Sequence, residues 1–310
     1  MFIAAGRKHA AKVNVSCSIG RQAGLSLFLS IYDGSNDHYA QRYKWWNSTN
    51  THVSVLANTS KVQALRVFTL EHRRLVLQHR GVWAVDENMI LPTLPSIVAF
   101  FRAVRALNVP IAQLPVLGSA HKAVFPKAQS CGCIHSTDFV EMMLPYFSSC
   151  ALLRVFDLLR FDAQRQGLDW GVDLMWCNYL NRHEPSEFRD ATGKSCALIQ
   201  TGVAVKAPHS RTYSLSAALS AQACTVRLFP GDQVSSEITD TLMCRRSHGL
   251  DALYARRLNG SNIANPVATG LCEHLWASWA RAQRLSTYLN HQTVLRDQKT
   301  RRRAIRARAG

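Results

Sequence analysis

Four groups of side chains in this 310-residue chain have types and spacings suited to chemistry. The first is Asp86-Glu87-Asn88, directly after the apolar run Gly81-Val82-Trp83-Ala84-Val85. Hard divalent cations such as Mg2+ and Mn2+ take oxygen ligands, and a bound diphosphate supplies further oxygens. Two oxygen side chains at i and i+2 beyond a strand can bridge such a cation to a nucleotide diphosphate. The same three residues also suit a polar turn, with Asn88 near a helix start.

The second group is Asp138 and Glu141 in STDFVEMMLPYF. Glu141 lies between Val140 and Met142 in an otherwise apolar stretch. A carboxylate there needs a partner or a raised pKa, and can meet a sugar hydroxyl or an arginine; the alternative is a structural ion pair. The third is LDWGVDLMW. Asp169 and Asp173 are four apart and would share a helix face, and Gly171 allows close backbone approach. A carboxylate here can deprotonate an acceptor hydroxyl. Asp169 equally suits a helix cap. The fourth is PHSRTY, where His209 can complete a metal site and Arg211 can hold a phosphate. An ordinary surface loop is the alternative. Cys131, Cys133 and His135 in CGCIH lack a second ligand pair at zinc spacing and are not read as a zinc centre.

These residues sit at the ends of alternating elements. LSLFLSIYDG, from Leu25 to Gly34, reads as a strand buried on both faces and closed by a turn. DHYAQRYKWWNSTNT reads as a loop. SKVQALRVFTLEHR has helical spacing with Ser60 as N-cap, and GVWAV is the next strand. LPTLPSIVAFFRAVRALNV opens on prolines and continues as an amphipathic helix. PIAQLPVL is a short strand, DFVEMMLPYFSSCALLRVFDLLRF a strand, a Pro turn and a helix, and CALIQTGVAVKAPHSRTYS a last strand. Strands alternating with helices predict an α/β layer fold with a mostly parallel sheet, whose ligands bind outside the carboxyl ends of the strands.

The expected organisation is a basic N-terminal segment over 1–24, an α/β domain over 25–213, a helical extension over 214–298 and a disordered basic tail over 299–310. The formal net charge is +17, and Lys299, Arg301, Arg302, Arg303, Arg306 and Arg308 concentrate part of it in that tail. Such a field favours anionic partners, including nucleic acid, acidic membranes and phosphates, without choosing among them. Nine cysteines at irregular spacing do not read as a disulfide framework. Four N-glycosylation sequons, at Asn14, Asn47, Asn58 and Asn259, would matter only in a secretory compartment. No stretch reaches the about 18 to 20 apolar residues of a transmembrane segment. The expected location is the secretory pathway, Golgi-like, if an upstream anchor precedes the chain, and the cytoplasm otherwise.

The order D-E-N, F-V-E-M-M-x-P-x-F, W-G-x-D-L-x-W and H-S-R resembles the glycosyltransferase-like proteins of the domain of unknown function 707 family, from about Leu25 to Tyr213. The resemblance implies a GT-A-like, Rossmann-like fold acting on a nucleotide-sugar donor and a glycan or other hydroxyl acceptor. Asp86 and Asn88 fall on the family's acidic triplet and Glu141 on its glutamate. Trp170, Gly171 and Asp173 fall on W-G-x-D, His209 on a late histidine, and Lys61 on a lysine before a helix. The implied roles are a divalent cation (Mn2+ or Mg2+) at Asp86, Glu87, Asn88 and His209, and donor contacts from Lys61, Asp86 and Arg211. Asp173 would be the acceptor base, with Glu141 positioning donor or acceptor. Two departures stand out: Asn88 replaces the usual third acid, which lowers the expected metal affinity, and Asp169 replaces a small residue before the tryptophan. The rival expectations are a degenerate, non-catalytic glycan- or nucleotide-binding protein on the same fold, and a nucleic-acid binder that works through its basic surface and tail.

Overall fold

The computed structural model of the chain describes residues 1–117, 134–158, 172–183 and 194–207. All of them lie in one compact unit, Met1–Ile263. The helical extension and basic tail expected beyond residue 213 fall outside the described residues, as do Asp169, Trp170, Gly171, His209, Arg211, Cys131 and Cys133.

The elements run β1 (Phe2–Ala5), α1 (Ala10–Gln22), β2 (Leu27–Ile31), α2 (Asn36–Arg42), β3 (Thr51–Val55), α3 (Lys61–Glu71), α4 (Arg73–Gln78), β4 (Gly81–Asp86), β5 (Met89–Ile90), α5 (Leu94–Leu107), β6 (Ile111–Gln113), β7 (Val116–Leu117), β8 (Ile134–Thr137), β9 (Tyr146–Ser148), α6 (Ser149–Leu158), α7 (Trp176–His183), β10 (Cys196–Ile199) and β11 (Ala204–Lys206). Short 3-10 turns occupy Arg7–His9, Lys44–Asn47 and Val172–Leu174.

Eight strands form one sheet in the order β3-β2-β1-β4-β9-β6-β10-β8. The pairs β3–β2, β2–β1, β1–β4 and β6–β10 are parallel, and β9 and β8 run antiparallel to their neighbours. A second sheet, β5-β11-β7, lies apart. The α/β class with a mostly parallel sheet is therefore as expected.

Alternation along the strands divides the core between the two faces. On β1, Phe2 and Ala4 join Phe28, Val82 and Ala84, and these pack with Leu65 and Phe68 of α3, Leu152 and Phe156 of α6, and Trp176 of α7. Ile3 and Ala5 join Leu29, Ile31, Trp83 and Val85, and these pack with Val13 and Cys17 of α1 and Ile97 and Phe100 of α5. A sheet covered on both faces has no polar face to expose, which explains the unbroken apolar runs. Each large side chain so buried contributes about 1.5–3 kcal/mol.

Three expectations are corrected. The α/β unit begins at Phe2, not Leu25: β1 lies between β2 and β4, and α1 covers a face. FIAA is too short a run to announce a central strand, and the basic residues after it obscured the amphipathic helix. The polar stretch after Gly34 is not one loop, because it holds α2, a 3-10 turn and the edge strand β3. Finally, Cys177 and Cys196 form a disulfide that ties α7 to β10, and Cys150 is also disulfide-bonded. Their irregular spacing concealed this, because the pairing joins elements distant in sequence.

Candidate functional site

The carboxyl ends of β1, β2 and β4 lie side by side, since these strands are parallel neighbours. Beyond β4 the segment before β9 continues the antiparallel pairing. Ala84 N–H donates to the Pro145 carbonyl at 2.8 Å and Asp86 N–H to the Met143 carbonyl at 2.9 Å. This brings the FVEMM block against the end of the strand that carries Asp86.

Lys61 joins the two. Its helix starts as expected, with Ser60 accepting from Gln63 N–H and the Gln63 side chain accepting from Ser60 N–H, a reciprocal cap worth about 1 kcal/mol. The cap sets Lys61 at the first helical position, where the positive end of the helix dipole disfavours a cation. Oxygens compensate. The ammonium donates to Asp86 Oδ1 at 2.7 Å, to the Met142 carbonyl at 2.6 Å, and to the Ala84 and Met143 carbonyls at 3.2 Å each. Burial pushes the Lys61 pKa down, and Asp86, Glu141 and Asp173 pull it back up. Lys61, Asp86, Glu141 and Asp173 thus interact electrostatically as one cluster.

The block that bears Glu141 is held residue by residue. Trp176 Nε1 donates to the Val140 carbonyl at 2.9 Å, Glu141 N–H to Gln113 Oε1 at 2.7 Å, and Met142 N–H to Asp173 Oδ2 at 3.3 Å. Glu141 itself is buried, and Asp173 is half-buried on its 3-10 turn. Asp138, considered with Glu141 from the sequence, belongs elsewhere. It pairs with Lys194 at 2.7 Å and accepts from Asn181 at 3.1 Å, the structural ion pair that was its alternative.

The Asp86-Glu87-Asn88 triplet diverges. Asp86 pairs with Lys61. Glu87 turns to β1 and β2, where its carboxylate accepts from Gly6 N–H at 2.7 Å and from the Tyr32 hydroxyl at 2.5 Å. Asp33 does the same one residue on, accepting from Arg7 N–H at 2.7 Å. Two carboxylates therefore satisfy the first free amides of the turn that leads into α1, where negative charge is favoured. Asn88 is buried, and among the described residues its Oδ1 has no hydrogen-bond partner.

This donor set does not fit a divalent cation held by the triplet. A cation at Asp86 would lie beside an ammonium held by Asp86 Oδ1 and three carbonyls, Glu87 turns to Gly6 and Tyr32, and Asn88 offers one neutral oxygen. Among the described residues no three His, Cys, Asp or Glu side chains converge as metal ligands.

Sequence reasoning passed over Gly6, Tyr32 and Asp33. A Cβ on Gly6 would stand 2.5 Å from the Tyr32 hydroxyl oxygen and 2.9 Å from Asp33 Oδ2, so a side chain there would push Tyr32 and Asp33 away from their hydrogen bonds with Glu87 and Arg7. Asp-Gly-Ser after a buried strand was the available signal, read only as a turn.

Glu87 gives a pH prediction. Burial raises its carboxyl above 4.5 against the two hydrogen bonds it accepts, and Asp86 and Asp33 add to the rise. The fold holds this proton more tightly than the unfolded chain does. Its contribution to stability therefore falls as pH rises from about 4.5 through the raised value. Glu87→Gln carries no such proton. Measured by urea midpoints, its stability relative to wild type should improve across that window and level off above it. Parallel curves for the two proteins would contradict the assignment.

No family model matches the chain. No curated protein matches it. A solved structure described as the crystal structure of a mycobacterial protein is similar at TM-score 0.35 and 10% identity, over 74% of this chain and 73% of its own. That likeness carries no argument. No helix among the described residues is long and apolar enough to cross a membrane.

Proposed function

We propose that the chain is a GT-A-like glycosyltransferase that moves a sugar from a nucleotide-sugar donor to a hydroxyl acceptor. One observation carries the reading: Lys61, Asp86, Glu141 and Asp173, four residues picked out by the family resemblance, meet at the carboxyl end of β4. In α/β sheets that edge is where ligands lie. The mostly parallel order of the sheet supports the same reading.

In this reading the donor diphosphate lies over the ends of β1, β2 and β4. Arg7 is exposed just beyond β1 and meets the diphosphate, with Arg211 joining from beyond the described residues. Lys61 does not reach the phosphates, since its ammonium is taken up by four oxygens. It cancels the charge of Asp86, which lowers the repulsion that three carboxylates would exert on an anionic donor. Asp173 takes the proton of the acceptor hydroxyl as the oxygen attacks the sugar's anomeric carbon and the nucleoside diphosphate leaves. Glu141, in the rigidly held block, orients the sugar by hydrogen bonds to its hydroxyls. Mn2+ or Mg2+, implied by the resemblance, has no step here.

The test is release of nucleoside diphosphate from a panel of UDP- and GDP-sugars by the full chain. Release above background with one donor is the expected outcome. Nucleotide binding without release from any donor would instead favour the non-catalytic binding protein on the same fold.

A further inference from the structure

The four sequons are not equivalent in the fold. Asn14 lies inside α1, and its Oδ1 accepts from the indole N–H of buried Trp45 at 2.7 Å, so its amide is turned to the protein. Asn47 closes a 3-10 turn, is exposed, and is followed by extended backbone at Ser48. Asn58 is exposed and holds a left-handed φ of 57°, which makes it the projecting corner of its turn. Asn259 is outside the described residues.

Asn47 and Asn58 also bracket one particular element. They stand just before and just after β3, the edge strand. Among the described residues β3 pairs with β2 on one side and with no strand on the other. His52 is exposed, and so are Val53 and Val55, at 36% and 51%. An open, apolar edge is a template for pairing with another chain, and proteins cover such edges with bulky or polar groups. The compartment in which sequons are used has its own mark in the fold. The Cys177–Cys196 disulfide, with Cys150 also oxidised, belongs to an oxidising environment.

We propose that the chain carries N-linked glycans at Asn47 and Asn58, and none at Asn14, and that the two glycans shield the β3 edge from self-association. The co-substrate is an oligosaccharide on a lipid diphosphate. The asparagine amide nitrogen loses a proton and bonds to the anomeric carbon, the carbon–oxygen bond to the diphosphate breaks, and the lipid diphosphate leaves. The glycans are bulky and solubilising. This inference does not depend on the transferase reading.

The test uses the full chain isolated from the cells that make it. Glycans are removed enzymatically in 18O-water, which converts each occupied asparagine to labelled aspartate, and the peptides are read by mass spectrometry. Label at Asn47 and Asn58 with none at Asn14 is expected. No label at either, label at only one, or label at Asn14 overturns the assignment. Glycosylated wild type is then compared with the double variant Asn47→Gln, Asn58→Gln, made in the same cells, by sedimentation velocity. Wild type should stay a single slow species while the variant forms larger ones; identical profiles would overturn the shielding.

Discussion

Lys61→Met is expected to destabilise the fold by about 3–5 kcal/mol, the range for breaking a buried ion pair from one side. The ammonium is nearly enclosed, with 12% of its side chain exposed, and has four oxygen partners. Methionine fills the volume but leaves Asp86 with an uncompensated charge and takes one donor from each of the Ala84, Met142 and Met143 carbonyls. For a domain of this size the melting temperature should fall on the order of 10 °C. The double variant Lys61→Met, Asp86→Leu separates the causes. Removing both charges restores part of the loss if the stranded carboxylate is its main source. A single variant that melts within a degree or two of wild type would show that the cluster does not hold the FVEMM block to β4.

Asp173→Asn should act in the opposite way, sparing the fold and removing turnover. The amide oxygen of asparagine can still accept from Met142 N–H, so that hydrogen bond is retained. What is lost is the capacity to take a proton. Loss of a positioned general base lowers rates by about 100- to 10,000-fold. The variant should bind donor as wild type does and release nucleoside diphosphate at least about 100-fold more slowly. A rate within twofold of wild type, on a protein with unchanged melting, would remove Asp173 from the base role.

The layers of the fold were readable because the strands are buried on both faces. Runs such as LFLSI and GVWAV have no other reasonable home. The cap at Ser60 was readable for a local reason, since its partner Gln63 is three residues away. The convergence of Lys61 with Asp86 was suggested only through the resemblance, because 25 residues separate them and nothing local links a helix start to a strand end. Glu87 shows why a sequence triplet misleads. Asp86 ends β4 and pairs with Lys61, whereas Glu87 opens the following turn and reaches Gly6 and Tyr32, and Asn88 is buried, so adjacency in sequence did not bring the three side chains to one point. The place of β1 was hidden because a four-residue strand carries little pattern. The Cys177–Cys196 bond was hidden because pairing partners are set by tertiary geometry rather than spacing.

The measurement that bears most directly on the central claim is calorimetric titration of the full chain with UDP and with GDP, each in Mn2+ and in EDTA. The account predicts saturable binding of one of the two nucleotides, unchanged by EDTA, since Lys61 rather than a cation neutralises Asp86 at the end of β4. Binding that vanishes in EDTA would contradict neutralisation of Asp86 by Lys61 alone. Absence of binding by either nucleotide in both buffers would contradict the transferase reading itself.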